Sequence, residues 1–151
     1  MTSAVHSKFK RADQWSGRVI GAAIEVHRLI GPGLIESIYE KCLMHELTLQ
    51  GIPAKQQHVV TVEYKDFAFE EPLKLDLYVD DCLVIELKAV EKVLPVHRAQ
   101  LFSCMTLLDA PLGLLINFHE MRLVDGVSRM ILPGADGTEF KKRISIGEDA
   151  L

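Results

Sequence analysis

The sequence has few cysteines, a single tryptophan, no long uncharged apolar run and no excess of positive charge, and these shortages exclude several classes of protein. Cys42, Cys82 and Cys104 are odd in number, far apart and set among apolar residues, which excludes a disulfide framework and suits reduced, buried thiols. No stretch approaches the ~18 uncharged apolar residues of a membrane span, and the longest apolar segment, Val19 to Ile30, is broken by Glu25, His27 and Arg28. The polar start, Met1 to Gln14, carries Lys8, Lys10 and Arg11 without the apolar run and cleavage site of a secretory signal. A cytoplasmic protein with no membrane association is expected. A net charge of −4 excludes gripping nucleic acid by charge alone. It leaves room for phosphate chemistry at a carboxylate cluster, because bound cations reverse the local charge. The histidines and cysteines show neither zinc spacing nor an HExxH pattern.

What is present fits one domain. A chain of 151 residues, 48% apolar and 25% charged, buries enough surface to fold without a metal or disulfide staple. The domain is expected over residues 15–132, between a flexible tail at 1–14 and a second at 133–151 that contains Lys141-Lys142-Arg143. Val19, Ala23, Val26 and Ile30 recur at helical spacing, predicting a helix from Arg18 to Ile30, and Gly31-Pro32-Gly33 breaks it. A second helix follows over about Leu34 to Leu49, ended by Gly51-Ile52-Pro53. The period then becomes that of strands. Val60, Val62 and Tyr64 alternate with polar residues, a return strand starts at Phe67 and meets Pro72, and Leu75–Val79 and Leu83–Lys88 flank Asp80-Asp81-Cys82. Val96 to Leu108 returns to helical spacing, and Leu112 to Phe118 is a fully covered strand. Met121–Val124 and Val127–Leu132, around Asp125-Gly126, predict a terminal hairpin. The expected fold is α/β, a mixed sheet flanked by helices, with a parallel crossover through the third helix.

The chemistry depends on register. If Leu75, Leu77 and Val79 share a buried face with Leu83, Ile85 and Leu87, then Leu77 lies opposite Ile85 and Asp76 opposite Glu86, with Lys88 following on the same face. That register requires an odd residue in the Asp80-Asp81-Cys82 connection; a clean two-residue turn would send the carboxylates to opposite faces. Two carboxylates so close repel one another until a cation sits between them, and hard oxygen donors suit Mg²⁺ or Mn²⁺. Lys88 would then orient the attacking water or stabilise charge on a phosphate. The plainer reading of the same residues is a solvated sheet face.

These residues resemble the GxxExxY proteins of the PD-(D/E)XK nuclease superfamily. The motif stands as Gly33-Leu34-Ile35-Glu36-Ser37-Ile38-Tyr39, followed in order by Leu75-Asp76-Leu77-Tyr78-Val79, Val84-Ile85-Glu86-Leu87-Lys88-Ala89-Val90, Val96-His97-Arg98-Ala99-Gln100-Leu101 and Gly113-Leu114-Leu115-Ile116-Asn117-Phe118. The resemblance spans roughly Trp15 to Leu132 and implies a restriction-endonuclease-like core. It implies a catalytic set of Asp76, Glu86 and Lys88, with metal ligation by Asp76, Glu86 and, as an accessory acid, Glu36, and a polar contact at Gln100. Where the family often carries an aromatic four residues after Gln100, this chain has Cys104.

Read from the residues, Glu36 also suits the first turn of a helix as an acid favouring the dipole. Tyr39, one turn on, suits either the core or a substrate contact, and His97 either a substrate contact or a helix cap. Asn117 suits a turn. The expected function is a divalent-metal-dependent nuclease, hydrolysing phosphodiester bonds of DNA or RNA with a metal-activated water. The alternative is a catalytically inactive module of the same fold that binds a protein partner or nucleic acid. A homodimer is an option for a domain this small, though the sequence marks no interface.

Overall fold

The computed structural model describes residues 4–138. Its order is α1 (Phe9–Ile30), α2 (Glu36–Leu49), β1 (Ala54–Tyr64), β2 (Phe67–Val79), β3 (Leu83–Lys88), α3 (Pro95–Leu108), β4 (Leu112–Asn117), a single 3-10 turn (Leu123–Gly126) and β5 (Val127–Ile131). The strands form one five-stranded sheet in chain order. Only β3 and β4 run parallel, the pair that α3 connects; the other neighbours are antiparallel. The mixed α/β sheet flanked by helices is the expected one.

Alternation along β3 and β4 gives each face of the sheet its own core. Leu77, Val79, Leu83, Ile85, Leu87, Leu114 and Ile116 meet α1 and α2 through Val19, Ala23, Tyr39, Leu43 and Leu47. Tyr78, Val84 and Leu115 face the other way and meet Leu101, Met105 and Leu108 of α3. The third helix comes close because β4 has Gly113 beneath it: a Cβ there would stand 2.6 Å from the Met105 sulfur.

Three expectations are corrected. The flexible tail at 1–14 is ordered helix from Phe9, because Ala12 is fully buried and Trp15 packs against the same core. At the other end, Ala135 is buried and its backbone bonds His6 and Leu132, so residues 133–137 lie against the domain; Lys141-Lys142-Arg143 falls outside the described residues. The C-terminal hairpin is made by β4 and β5, whereas Met121–Val124 is not a strand. The Asp125-Gly126 pair closes the 3-10 turn there, and glycine is needed because a Cβ would sit 2.1 Å from the Asn117 carbonyl oxygen.

Pro72 does not interrupt β2, which runs unbroken through it to join the two strands expected separately. The strand does bulge further on. Between the pairs Gln57–Lys74 and Lys55–Tyr78, β1 advances two residues while β2 advances four, so the extra length lies around Asp76. Leu75 is thereby turned into the α3-side core rather than sharing a face with Leu77 and Val79.

Candidate active site

The β2–β3 turn sets the register. Asp80 and Asp81 both have positive φ, 47° and 52°, and the Cys82 amide donates to the Val79 carbonyl. Aspartate tolerates that conformation better than most residues. Cys82 is the odd residue: past it the ladder pairs Val79 with Leu83, Tyr78 with Val84 and Leu77 with Ile85, as the apolar pattern requires. Asp80 is tied down by the Trp15 indole at 2.9 Å and the Arg11 guanidinium at 3.0 Å.

The ladder stops at Leu77, one step before Asp76 and Glu86 would pair. Instead the Asp76 carboxylate accepts the Leu87 amide at 2.8 Å, so a side chain replaces the main-chain partner that the diverging strands withdraw. Glu86 and Lys88 follow on β3, each less than one-fifth exposed, with Lys88 Nζ 3.7 Å from Glu86 Oε2. That is an ion pair too long to be a hydrogen bond. The carboxylates therefore meet where the strands part, short of cationic partners.

The titration behaviour records the crowding. Burial, then the charge of Asp76, pushes Glu86 up to about 7 against the pull of Lys88. Burial likewise raises Asp76, with the Leu87 amide opposing and Glu36 adding to it. Cys104 on α3 is raised by burial and by the charges of Glu86 and Asp76, so α3 reaches this cluster as well as α2.

Glu36 opens α2, half-buried, and repels both strand carboxylates. The expected set of three metal ligands does not close, however. Among the described residues no three His, Cys, Asp or Glu side chains are near enough together to cage an ion. One Asp76 oxygen is committed to the Leu87 amide. Two carboxylates with water and substrate oxygens still suit Mg²⁺, which rarely takes an all-protein cage.

Tyr39 is corrected outright as a substrate contact. It is fully buried, stacks on Phe118 at 4.4 Å, and its hydroxyl donates to the Gly31 carbonyl at 2.5 Å while accepting the Leu34 amide at 3.1 Å. It locks the loop that delivers Glu36. His97 caps α3: its Nδ1 accepts the Leu94 amide at 3.0 Å, which occupies one side of the ring. Gln100 is exposed one turn before Cys104, on the helix face that looks toward the carboxylates. Asn117, paired with Lys88 across β3–β4, bonds both the amide and the carbonyl of Val90, while the Phe118 amide donates to the Lys88 carbonyl. The backbone on both sides of the lysine is thereby fixed.

Sequence reasoning overlooked Glu40 and Gln56. Gln56 Nε2 donates to Glu40 Oε1 at 2.8 Å and to the Asp76 carbonyl at 3.3 Å, bridging helix and bulge. Burial and then the charge of Asp76 raise Glu40. The i, i+4 spacing from Glu36 could have flagged it; nothing marked Gln56, because the strand was expected to start only at Val60.

A family model for the PD-(D/E)XK nuclease superfamily matches residues 13–130, from α1 into β5. The chain belongs to the PD-(D/E)XK nuclease superfamily. The five-stranded mixed sheet, with acidic and lysine side chains where two central strands part, agrees with membership. No curated protein and no solved structure shows significant similarity to the chain. Members of this superfamily generally use divalent metals and act on nucleic acid, and among the described residues no helix is long and apolar enough to cross a membrane.

Proposed function

We propose that the protein is a Mg²⁺- or Mn²⁺-dependent nuclease of GxxExxY type, hydrolysing phosphodiester bonds in DNA or RNA. The observation that carries this reading is the convergence of Asp76, Glu86 and Lys88 at the parting strands, where burial, and then the charge of Asp76, raises Glu86 to about 7.

Asp76 and Glu86 would hold the ion, which supplies Lewis-acid charge and a more acidic water. Asp76 keeps one oxygen for the Leu87 amide, so its other oxygen is the one available as a ligand. Lys88, held by β4 from behind, presents its ammonium beside Glu86 and stabilises charge developing on the phosphate. Glu36 would add an accessory carboxylate to the ion's surroundings, and Gln100 would contact the substrate from the rim of α3. His97 is retained as a substrate contact only through the ring nitrogen that the cap leaves over. The free thiols of Cys42, Cys82 and Cys104 support a cytoplasmic setting.

The test is cleavage of single- and double-stranded DNA and of RNA with Mn²⁺, comparing wild type with Asp76→Ala and Lys88→Ala. Each substitution is expected to lower the rate by about a hundredfold or more. Activity unchanged in both variants would remove these residues from the mechanism. Folded wild-type protein that neither cleaves nor binds Mn²⁺ would favour a non-catalytic binding module.

A further inference from the structure

The β1–β2 hairpin runs past the rest of the sheet, since β3 pairs with β2 only from Leu77 to Val79. This leaves two strand edges open, that of β1 along its length and that of β2 before Leu77. Among the described residues, no hydrogen bond from outside the β1–β2 ladder reaches a main-chain group from Gln57 to Glu63. Unpaired edges of this length invite another strand unless they are guarded.

The hairpin itself shows which groups look outward. Tyr64 and Phe67 pair across a two-residue turn, and the pair that closes a two-residue hairpin is the hydrogen-bonded one. Alternation from there turns the amides and carbonyls of Glu63, Thr61, Val59 and Gln57 away from β2. Pro72, opposite Val59, agrees: it has no N–H and belongs where none is asked to face β1. The same proline therefore stands on the open edge of β2 and guards it, whereas β1 contains no proline.

We infer that the β1 edge joins two copies of this chain in a symmetric dimer, β1 pairing antiparallel with its own copy about Val59. The sheet then runs continuously through both subunits. In this register Lys55 lies opposite Glu63, twice by symmetry, Gln57 opposite Thr61, and Val59, 57% exposed in the single chain, against itself. Centring the pairing on Gln57 or Thr61 would set Val59 against Lys55 or Glu63 and lose both ion pairs. Lys55 Nζ contacts Asp81 at 2.7 Å, and its remaining N–H groups are available to Glu63 of the second copy. This inference stands apart from the hydrolytic reading.

Sedimentation equilibrium over a concentration series tests it. Wild type is expected to dimerise; Glu63→Lys, which sets like charges opposite twice, weakens association by about tenfold or more. Mixing Glu63→Lys with Lys55→Glu restores the dimer as a heterodimer. Val59→Pro removes an outward N–H without a ladder bond to β2, and is expected to abolish association while leaving the circular dichroism spectrum unchanged. Wild type that stays monomeric at every concentration overturns the proposal, even where an extended peptide from another protein protects the β1 amides. Dimerisation as tight in Glu63→Lys and Val59→Pro as in wild type overturns it as well.

Discussion

The two ends of the β2–β3 pair are built on opposite principles. At the turn end, Leu77, Val79, Leu83 and Ile85 are fully buried and ladder-bonded, and Asp80 is fastened to α1 by Trp15 and Arg11. At the open end the ladder has already stopped, and Asp76, Glu86 and Lys88 are crowded together without enough opposite charge. The comparison teaches that the stable end fixes the register while the costly end collects the chemistry. Like charges can be held near one another only because apolar burial a few residues away outweighs their repulsion.

The contrast yields four expectations about stability. Ile85→Ala at the apolar end should cost about 2–5 kcal/mol, read from chemical denaturation, since a fully buried side chain leaves a cavity. Glu86→Gln, one residue along the same strand, should have the opposite sign. A carboxyl raised to about 7 from 4.5 binds its proton more tightly folded than unfolded, so metal-free stability falls as pH rises from about 4.5 to 7. Removing that charge is therefore expected to stabilise the metal-free protein at pH 8 by on the order of 3 kcal/mol and to leave it little changed at pH 4. A Glu86→Gln variant no more stable than wild type at pH 8 would mean that the charged end carries no strain.

Asn117→Ala sharpens the boundary between the ends. It strands the amide and carbonyl of Val90 and should cost about 1–3 kcal/mol. Because it loosens the backbone after Lys88, it should also lower turnover more than substrate affinity. Asp80→Asn should be the mildest, about 1 kcal/mol, as it keeps a side chain that tolerates the positive φ while removing a half-exposed ion pair and weakening the indole hydrogen bond. A larger loss than that from Ile85→Ala would reverse the assignment of stability to the buried core.

The register was legible because apolar residues alternate at Leu77, Val79, Leu83 and Ile85, and a shift of one residue would have turned them all to the wrong face. The odd residue in the turn follows from the same alternation. The bulge at Asp76 was not legible: it arises from the pairing of β1 with β2, and Gln56, which braces it, looks like any polar strand residue. The first turns of α1 were missed because Ala12 and Ser16, which extend its buried stripe, are small or polar and carry little apolar signal although both are almost completely buried. Tyr39 sits in a motif whose letters suggest chemistry, but its burial against Phe118 gives it the task of holding a loop. Glu36 lies near enough to Asp76 and Glu86 for its charge to raise both, but the three do not form a closed ligand set.

Calorimetric titration with Mn²⁺ at pH 6.5, in buffers of different ionisation enthalpy, tests the shared carboxylate site most directly. With Glu86 raised to about 7, wild type should bind the ion at millimolar concentration or below and release a substantial fraction of a proton, while Glu86→Gln should bind far more weakly and release none from this position. Binding that is equally tight in both proteins, with no dependence on buffer, would contradict a common ion between Asp76 and Glu86.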